Sequence, residues 1–158
     1  MGVVSLIAPA LLQSHRMLLW NASASVPVGL YLLETTDTRY VSELVAVLPP
    51  DPLARYLDAG NYLPRGVPML KHVLALPGQT VCREGLVISI DKLAVGIARE
   101  RDRRGRSLPV WQGCRFISQD SLFLMNSQSA DSLDGRYFGP LPQSAVLGRA
   151  HRIWTRED

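Results

Sequence analysis

Val67-Pro68-Met69-Leu70-Lys71-His72-Val73-Leu74-Ala75-Leu76 is an apolar run between Gly66 and Pro77-Gly78, broken only by Lys71 and His72. Side chains alternate across a strand, so Lys71 shares a face with Val67, Met69, Val73 and Ala75, while Leu70, His72, Leu74 and Leu76 take the other. Apolar residues on both faces mark a strand buried on both sides. A lysine in its middle loses hydration, and its pKa falls from the ordinary ~10.4. A neutral amine near physiological pH is a general base. For an arbitrary strand lysine the commoner outcome is plainer: the ammonium reaches the strand edge or meets an acid.

Outward from this run the chain is cut into short segments by eleven Pro and twelve Gly. That spacing favours a mostly β fold, and 158 residues suit a single domain. Strands are predicted at Leu30–Glu34, Tyr40–Leu48, Thr80–Arg83, Leu86–Ile90, Leu93–Ala98, Val110–Trp111, Cys114–Ile117, Ser121–Met125 and Ala145–Trp154. A short helix is predicted over Leu53–Leu57, with Asp51 as its N-cap, Pro52 at its first position and Gly60 closing it. Hydrophobic residues at 47% and charged residues at 20% exclude wholesale disorder.

The formal net charge is +3, yet residues 99–106 alone hold five Arg against two acids, so the rest of the chain sums to zero. The basic character belongs to one loop, read either as a solvated hairpin or as a contact for anionic lipid headgroups. Three His and two Cys in no ligand spacing give no metal site, and no cofactor motif is present. Cys82 and Cys114 are compatible with one disulfide or with two buried thiols. Residues 2–12 form an apolar run that covers about half of a ~30 Å hydrocarbon core. Residues 1–20 are read as a shortened N-terminal membrane anchor or a hydrophobic arm, and 21–158 as the β domain.

A nucleophile candidate lies in Asn21-Ala22-Ser23-Ala24-Ser25-Val26-Pro27-Val28-Gly29-Leu30-Tyr31. Small residues before Ser25 allow a substrate backbone close, Pro27 fixes the chain after it, and Gly29 tolerates conformations closed to other residues. A serine hydroxyl needs a base to take its proton, and a lysine amine serves. Taken alone, Ser-x-Pro-x-Gly is more often a plain turn. A third segment, Asn126 to Pro142, crowds polar residues around Asp134 and Arg136; its plain reading is a solvated turn with a surface ion pair of little energetic weight. A Ser-His-Asp site is disfavoured, because no Gly-x-Ser-x-Gly elbow surrounds any serine and His72 faces away from Lys71.

In this order, the segments Ser25 to Tyr31, Gly66 to Gly78 and Ser132 to Pro140 resemble bacterial type I signal peptidases, serine/lysine enzymes, and among them the conjugative-transfer (TraF-type) signal peptidases. The resemblance implies a single signal-peptidase-like β domain with short helices and a basic loop or hairpin in a variable insertion at about 83–115. It implies Ser25 as nucleophile and Lys71 as general base, with Ser132 orienting the lysine amine. Asp134 and Arg136 would form a structural ion pair beneath the site, and the Ser25 N–H and the Ser23 hydroxyl would hold the oxyanion. Gly135 departs from the pattern, standing where signal peptidases often carry Ser.

The same resemblance implies a prepilin or other exported preprotein of a conjugative or type IV secretion system as substrate, cut after Ala-x-Ala or cyclised. It also implies an anchor in the bacterial inner membrane, contact with its lipid, and a catalytic domain on the periplasmic side. The periplasm is oxidising, which favours a Cys82–Cys114 disulfide. On this reading no nucleic acid partner is expected. The rival is a non-catalytic β domain that binds nucleic acid or anionic lipid through its Arg-rich loop, with Ser25 and Lys71 dispensable.

Overall fold

A computed structural model describes residues 16–156. The chain runs β1 (Met17–Asn21), β2 (Gly29–Glu34), β3 (Leu44–Val47), α1 (Asp51–Ala59), β4 (Met69–Ala75), β5 (Thr80–Glu84), β6 (Val87–Ile90), β7 (Leu93–Ile97), β8 (Gly113–Phe116), β9 (Ser121–Leu124), α2 (Gly135–Phe138), β10 (Leu141–Pro142) and β11 (Val146–Thr155). Two antiparallel sheets result, one ordered β1-β2-β11-β3-β4-β9-β10 and one ordered β7-β6-β5-β8. The fold is mostly β, as the Pro and Gly spacing predicts. Among the described residues no helix is long and apolar enough to cross a membrane.

The run at 67–76 becomes β4, held inside the larger sheet between β3 and β9. Val45 of β3 lies opposite Lys71 and is fully buried. Leu70, Lys71, Val73 and Ala75 are buried, whereas His72 and Leu74 are half-buried. One face of the strand is therefore closed and the other only partly so.

The residues around 83–115 build most of the second sheet, with the basic turn inside it. Val81, Ile88, Ile90, Trp111 and Ile117 form one apolar cluster with Ala75, Phe123 and Met125 of the first sheet's strands and their ends. Position 83 falls inside β5, so the insertion boundary drawn there cuts a strand. Cys82 and Cys114 face each other across β5 and β8 and are joined by a disulfide. The basic stretch forms the turn between β7 and β8, with Arg101 and Ser107 bridged across it.

Four local expectations need correction. Tyr40–Leu48 is a strand only over Leu44–Val47, because the carboxylate of Glu43 accepts the N–H of Tyr40 at 3.0 Å and Ser42 turns at φ 74°. Pro50, not Asp51, is the N-cap of α1, and Asp51 is its first residue, paired with Arg55 and Arg65. Val110–Trp111 is no strand: the indole of Trp111 is buried and donates to the carbonyl of Gly135 at 3.0 Å. Met17–Asn21 pairs residue for residue with β2, so the sheet begins inside the segment assigned to the arm; residues 1–15 of that arm lie outside the described residues.

Candidate active site

The loop between β1 and β2 carries Ser25, and a single side chain shapes it. Asn21 is buried at the end of β1. Its amide donates to the carbonyls of Ser23 at 2.8 Å, Val26 at 3.3 Å and Pro27 at 3.1 Å, while its oxygen accepts the N–H of Ser23 at 3.1 Å. The hydroxyl of Tyr31 adds a bond to the Pro27 carbonyl at 2.7 Å. Gly29 is required by space rather than by an unusual φ, since a Cβ there would sit 2.1 Å from the Trp154 carbonyl oxygen of β11.

Ser25 is half-buried and Ser23 exposed. Their hydroxyl oxygens lie 3.1 Å apart, and the Ser25 N–H donates to Ser23 Oγ at 3.4 Å. The two groups expected to hold an oxyanion thus point at one another, and a substrate carbonyl would displace that contact.

Lys71 is 5% exposed. Its ammonium donates to Ser132 Oγ at 2.8 Å, which is its one hydrogen bond among the described residues. Burial pushes its pKa down to about 8, against the upward pull of Asp134 and with a smaller downward push from Arg136. The structure brings Lys71 to Ser132 and Ser25 to Ser23, and no hydrogen bond joins the two pairs. They are linked through packing, since Val26 beside Ser25 and Leu70 beside Lys71 share one apolar cluster.

Asp134 and Arg136 are buried, not solvated, with side chains 0% and 2% exposed. Arg136 donates to both carboxylate oxygens, each at 2.9 Å, which is the bidentate geometry a guanidinium favours. It also donates to the carbonyls of Ser129 at 2.7 Å and Ser132 at 3.1 Å, so it fastens the segment that presents the Ser132 hydroxyl. The buried guanidinium of Arg83 holds the Arg136 carbonyl at 2.6 Å, tying the second sheet to this loop.

Asn126 is the positioning residue that sequence reasoning passed over. Its side-chain amide donates to the Leu70 carbonyl at 3.0 Å, and its oxygen accepts the His72 N–H at 3.1 Å. The carboxamide continues the β4–β9 ladder after Met125, whose N–H bonds the His72 carbonyl at 2.9 Å, and so fixes the peptides on both sides of Lys71. Its own N–H reaches Asp134 Oδ2 at 3.1 Å. The available signal was a lone carboxamide ending an apolar strand, where a backbone ladder needs a partner.

Gly135 also has a local reason. A Cβ there would meet the Phe123 ring at 2.6 Å and the Leu124 carbonyl oxygen at 2.8 Å. Gly135→Ser is expected to cost about 1–3 kcal/mol by overpacking. Urea denaturation checks this, and an unchanged midpoint would show that Phe123 yields freely.

The family model described as "Signal peptidase, peptidase S26" matches residues 1–155. The conjugal transfer protein TraF of Agrobacterium fabrum is 35% identical over 144 residues, covering 85% of this chain and 81% of that protein. The probable conjugal transfer protein TraF of Sinorhizobium fredii is 32% identical over 166 residues, covering 98% and 85%. Among solved structures, a signal peptidase I from Enterococcus faecalis is similar at TM-score 0.43 and 16% identity, over 73% of this chain and 98% of that one. On the family match along nearly its whole length and on the two TraF relatives, the chain belongs to the S26 family of signal peptidases.

Proposed function

We propose that this S26 peptidase is a membrane-associated serine endopeptidase with Ser25 as nucleophile and Lys71 as general base. The observation that carries the reading is a lysine buried in a central strand, with a pKa near 8 and a serine hydroxyl as its sole hydrogen-bond partner among the described residues. In the reaction Ser25 Oγ attacks the scissile carbonyl carbon as its proton passes to Lys71 Nζ. The ammonium then protonates the departing amine, the C–N bond breaks, and an acyl-serine ester remains. Water releases the acyl group, or the substrate's own amino terminus does so and closes a ring. The Ser25 N–H and Ser23 hydroxyl stabilise the oxyanion, and a donor of this kind contributes ~10²–10³ in turnover.

The relatives' names supply the setting, conjugal transfer; the substrate we propose within it is a prepilin or another exported preprotein. Membrane association has support along β1 and at the end of β11, a rim that reaches the Ser25 loop at Trp20 and Trp154. Met17, Leu18 and Trp20 of β1 and Ile153 and Trp154 of β11 are all more than half exposed, and the two indoles stack at 6.0 Å. Exposed tryptophans on an apolar rim suit a membrane–water interface. The disulfide suits an oxidising compartment such as the periplasm.

The test is incubation of the protein with detergent-presented Ala-x-Ala precursor peptides, read by mass spectrometry. Cleavage after the second alanine is expected, and a product lighter than its linear form by one water identifies cyclisation. Precursors left whole across the panel count against the assignment.

A further inference from the structure

The Arg-rich turn, which the proteolytic reading leaves unused, is fastened on two sides. Asp102 accepts the N–H groups of Arg104 at 2.9 Å and Arg106 at 2.8 Å, Arg106 Nε at 2.7 Å and the Tyr62 hydroxyl at 2.5 Å. Arg106 also donates to the Gly60 carbonyl at 2.8 Å and lies 4.3 Å from the centre of the Tyr62 ring. On the other side Arg99 and Arg103 both pair with Asp131, the neighbour of Ser132. The turn is thereby a wall rather than a free loop. Between it, the segment after α1 and the segment before Ser132 lies a cleft of about 260 Å³.

Five arginines line that cleft against two carboxylates, Asp102 and Asp131. The excess of three positive charges equals the formal net charge of the whole chain. Two of the five have no carboxylate among the described residues. The guanidinium of Arg101 reaches only the Gly105 carbonyl, at 2.8 Å, and that of Arg104 makes no hydrogen bond there.

We propose that this cleft binds a phosphate group of the monoester type, gripped by Arg101 and Arg104 and flanked by the other three arginines. The planar guanidinium fork matches two oxygens of one anion, and a phosphomonoester offers three terminal oxygens to several forks at once. Its charge of about −1.5 to −2 at neutral pH answers most of the excess. A carboxylate or a phosphodiester brings only one negative charge and leaves most of the excess unanswered. Nucleic acid fits less well, because its affinity comes from a succession of phosphates along a basic track, and outside residues 99–106 the chain is formally neutral. The ligand is either a soluble phosphomonoester or the headgroup of a lipid such as phosphatidic acid. The site does not depend on the Ser25–Lys71 reading.

Calorimetric titration of the full chain with inorganic phosphate, beside acetate, tests the chemistry. Sedimentation with phosphatidylcholine vesicles, with and without phosphatidic acid, tests the source. The control is Arg101→Ser/Arg104→Ser, which changes exposed side chains outside the catalytic machinery and is expected to cleave peptide as the unaltered protein does. Phosphate is expected to bind about tenfold or more tighter than acetate, and the double variant to lose about tenfold or more, the scale of a lost charge-assisted bond. Binding in the calorimeter with no more retention on phosphatidic acid vesicles than on phosphatidylcholine alone names a soluble phosphomonoester. Retention on phosphatidic acid vesicles above that baseline, brought back to it in the double variant, names the headgroup. Absence of phosphate affinity in both arms overturns the proposal. So does affinity no better than for acetate, or affinity equal in the double variant.

Discussion

Lys71→Met is expected to abolish cleavage, by about 10⁴-fold or more, while the protein stays as stable as before or gains stability. The loss follows from the role: with no acceptor for its proton the Ser25 hydroxyl is a poor nucleophile, and removing one member of such a catalytic unit costs on this scale. The stability follows from burial. The lysine is 5% exposed, and in its charged form it has exchanged water for one hydroxyl. Methionine fills a similar volume without a charge to desolvate. The Ser132 hydroxyl loses a partner at a cost of about 1 kcal/mol, which relief of the buried charge offsets. Ser25→Ala is expected to lose activity to the same extent at an unchanged melting temperature, because Ser25 is only half-buried. Initial rates on a precursor peptide and thermal melts followed by circular dichroism read both. Near-normal rates in Lys71→Met would mean that the base lies elsewhere.

The largest stability loss is expected at the buried ion pair. Asp134→Ala or Arg136→Ala should each cost about 3–5 kcal/mol, because either leaves a charge buried without its partner. Arg136 has more to lose than one carboxylate, since it also holds the Ser129 and Ser132 carbonyls. Its removal therefore frees the segment that presents Ser132 to the lysine, and activity should fall with stability. Removing both charges together should cost less than the two single losses added, since the second change relieves what the first leaves unpaired. Urea denaturation of the three variants measures this. A loss under about 1 kcal/mol, typical of an exposed pair, would contradict the burial.

The Lys71 strand is legible in the sequence because burial on a central strand writes itself as apolar residues at every position, so a charge there stands out. The strands from Thr80 to Ile97 are legible for a related reason: turns separate them cleanly, at Gly85 and Asp91-Lys92, both with positive φ. What escapes the sequence depends on long-range partners. Asp134 and Arg136 are two residues apart and, apart from the family resemblance, look like a surface turn; only the packing of Arg83 and Asn126 around them makes them a buried pair. Asn126 and Asn21 act through carboxamides that complete backbone ladders and turns, and their partners are unknown until strands are paired. β1 is hidden because Met17–Trp20 are apolar residues, all exposed but Leu19, that read as arm, whereas their pairing with β2 is a backbone property. Gly29 looks like a conformational glycine and Gly135 like a mere departure from the family pattern, yet both are small because another strand or ring lies too near for a Cβ.

The central claim is that a desolvated Lys71 is the catalytic base, and the most direct test is the pH dependence of kcat/KM for a precursor peptide from about pH 6 to about pH 10, a range that brackets a lowered lysine pKa. The base must be neutral to work, so the rate should rise with pH along a limb whose midpoint lies near the lysine's depressed pKa of about 8. A limb near ~10.4 would mean an ordinary solvated lysine, and one near ~6.5 would mean a histidine; either result would contradict the assignment.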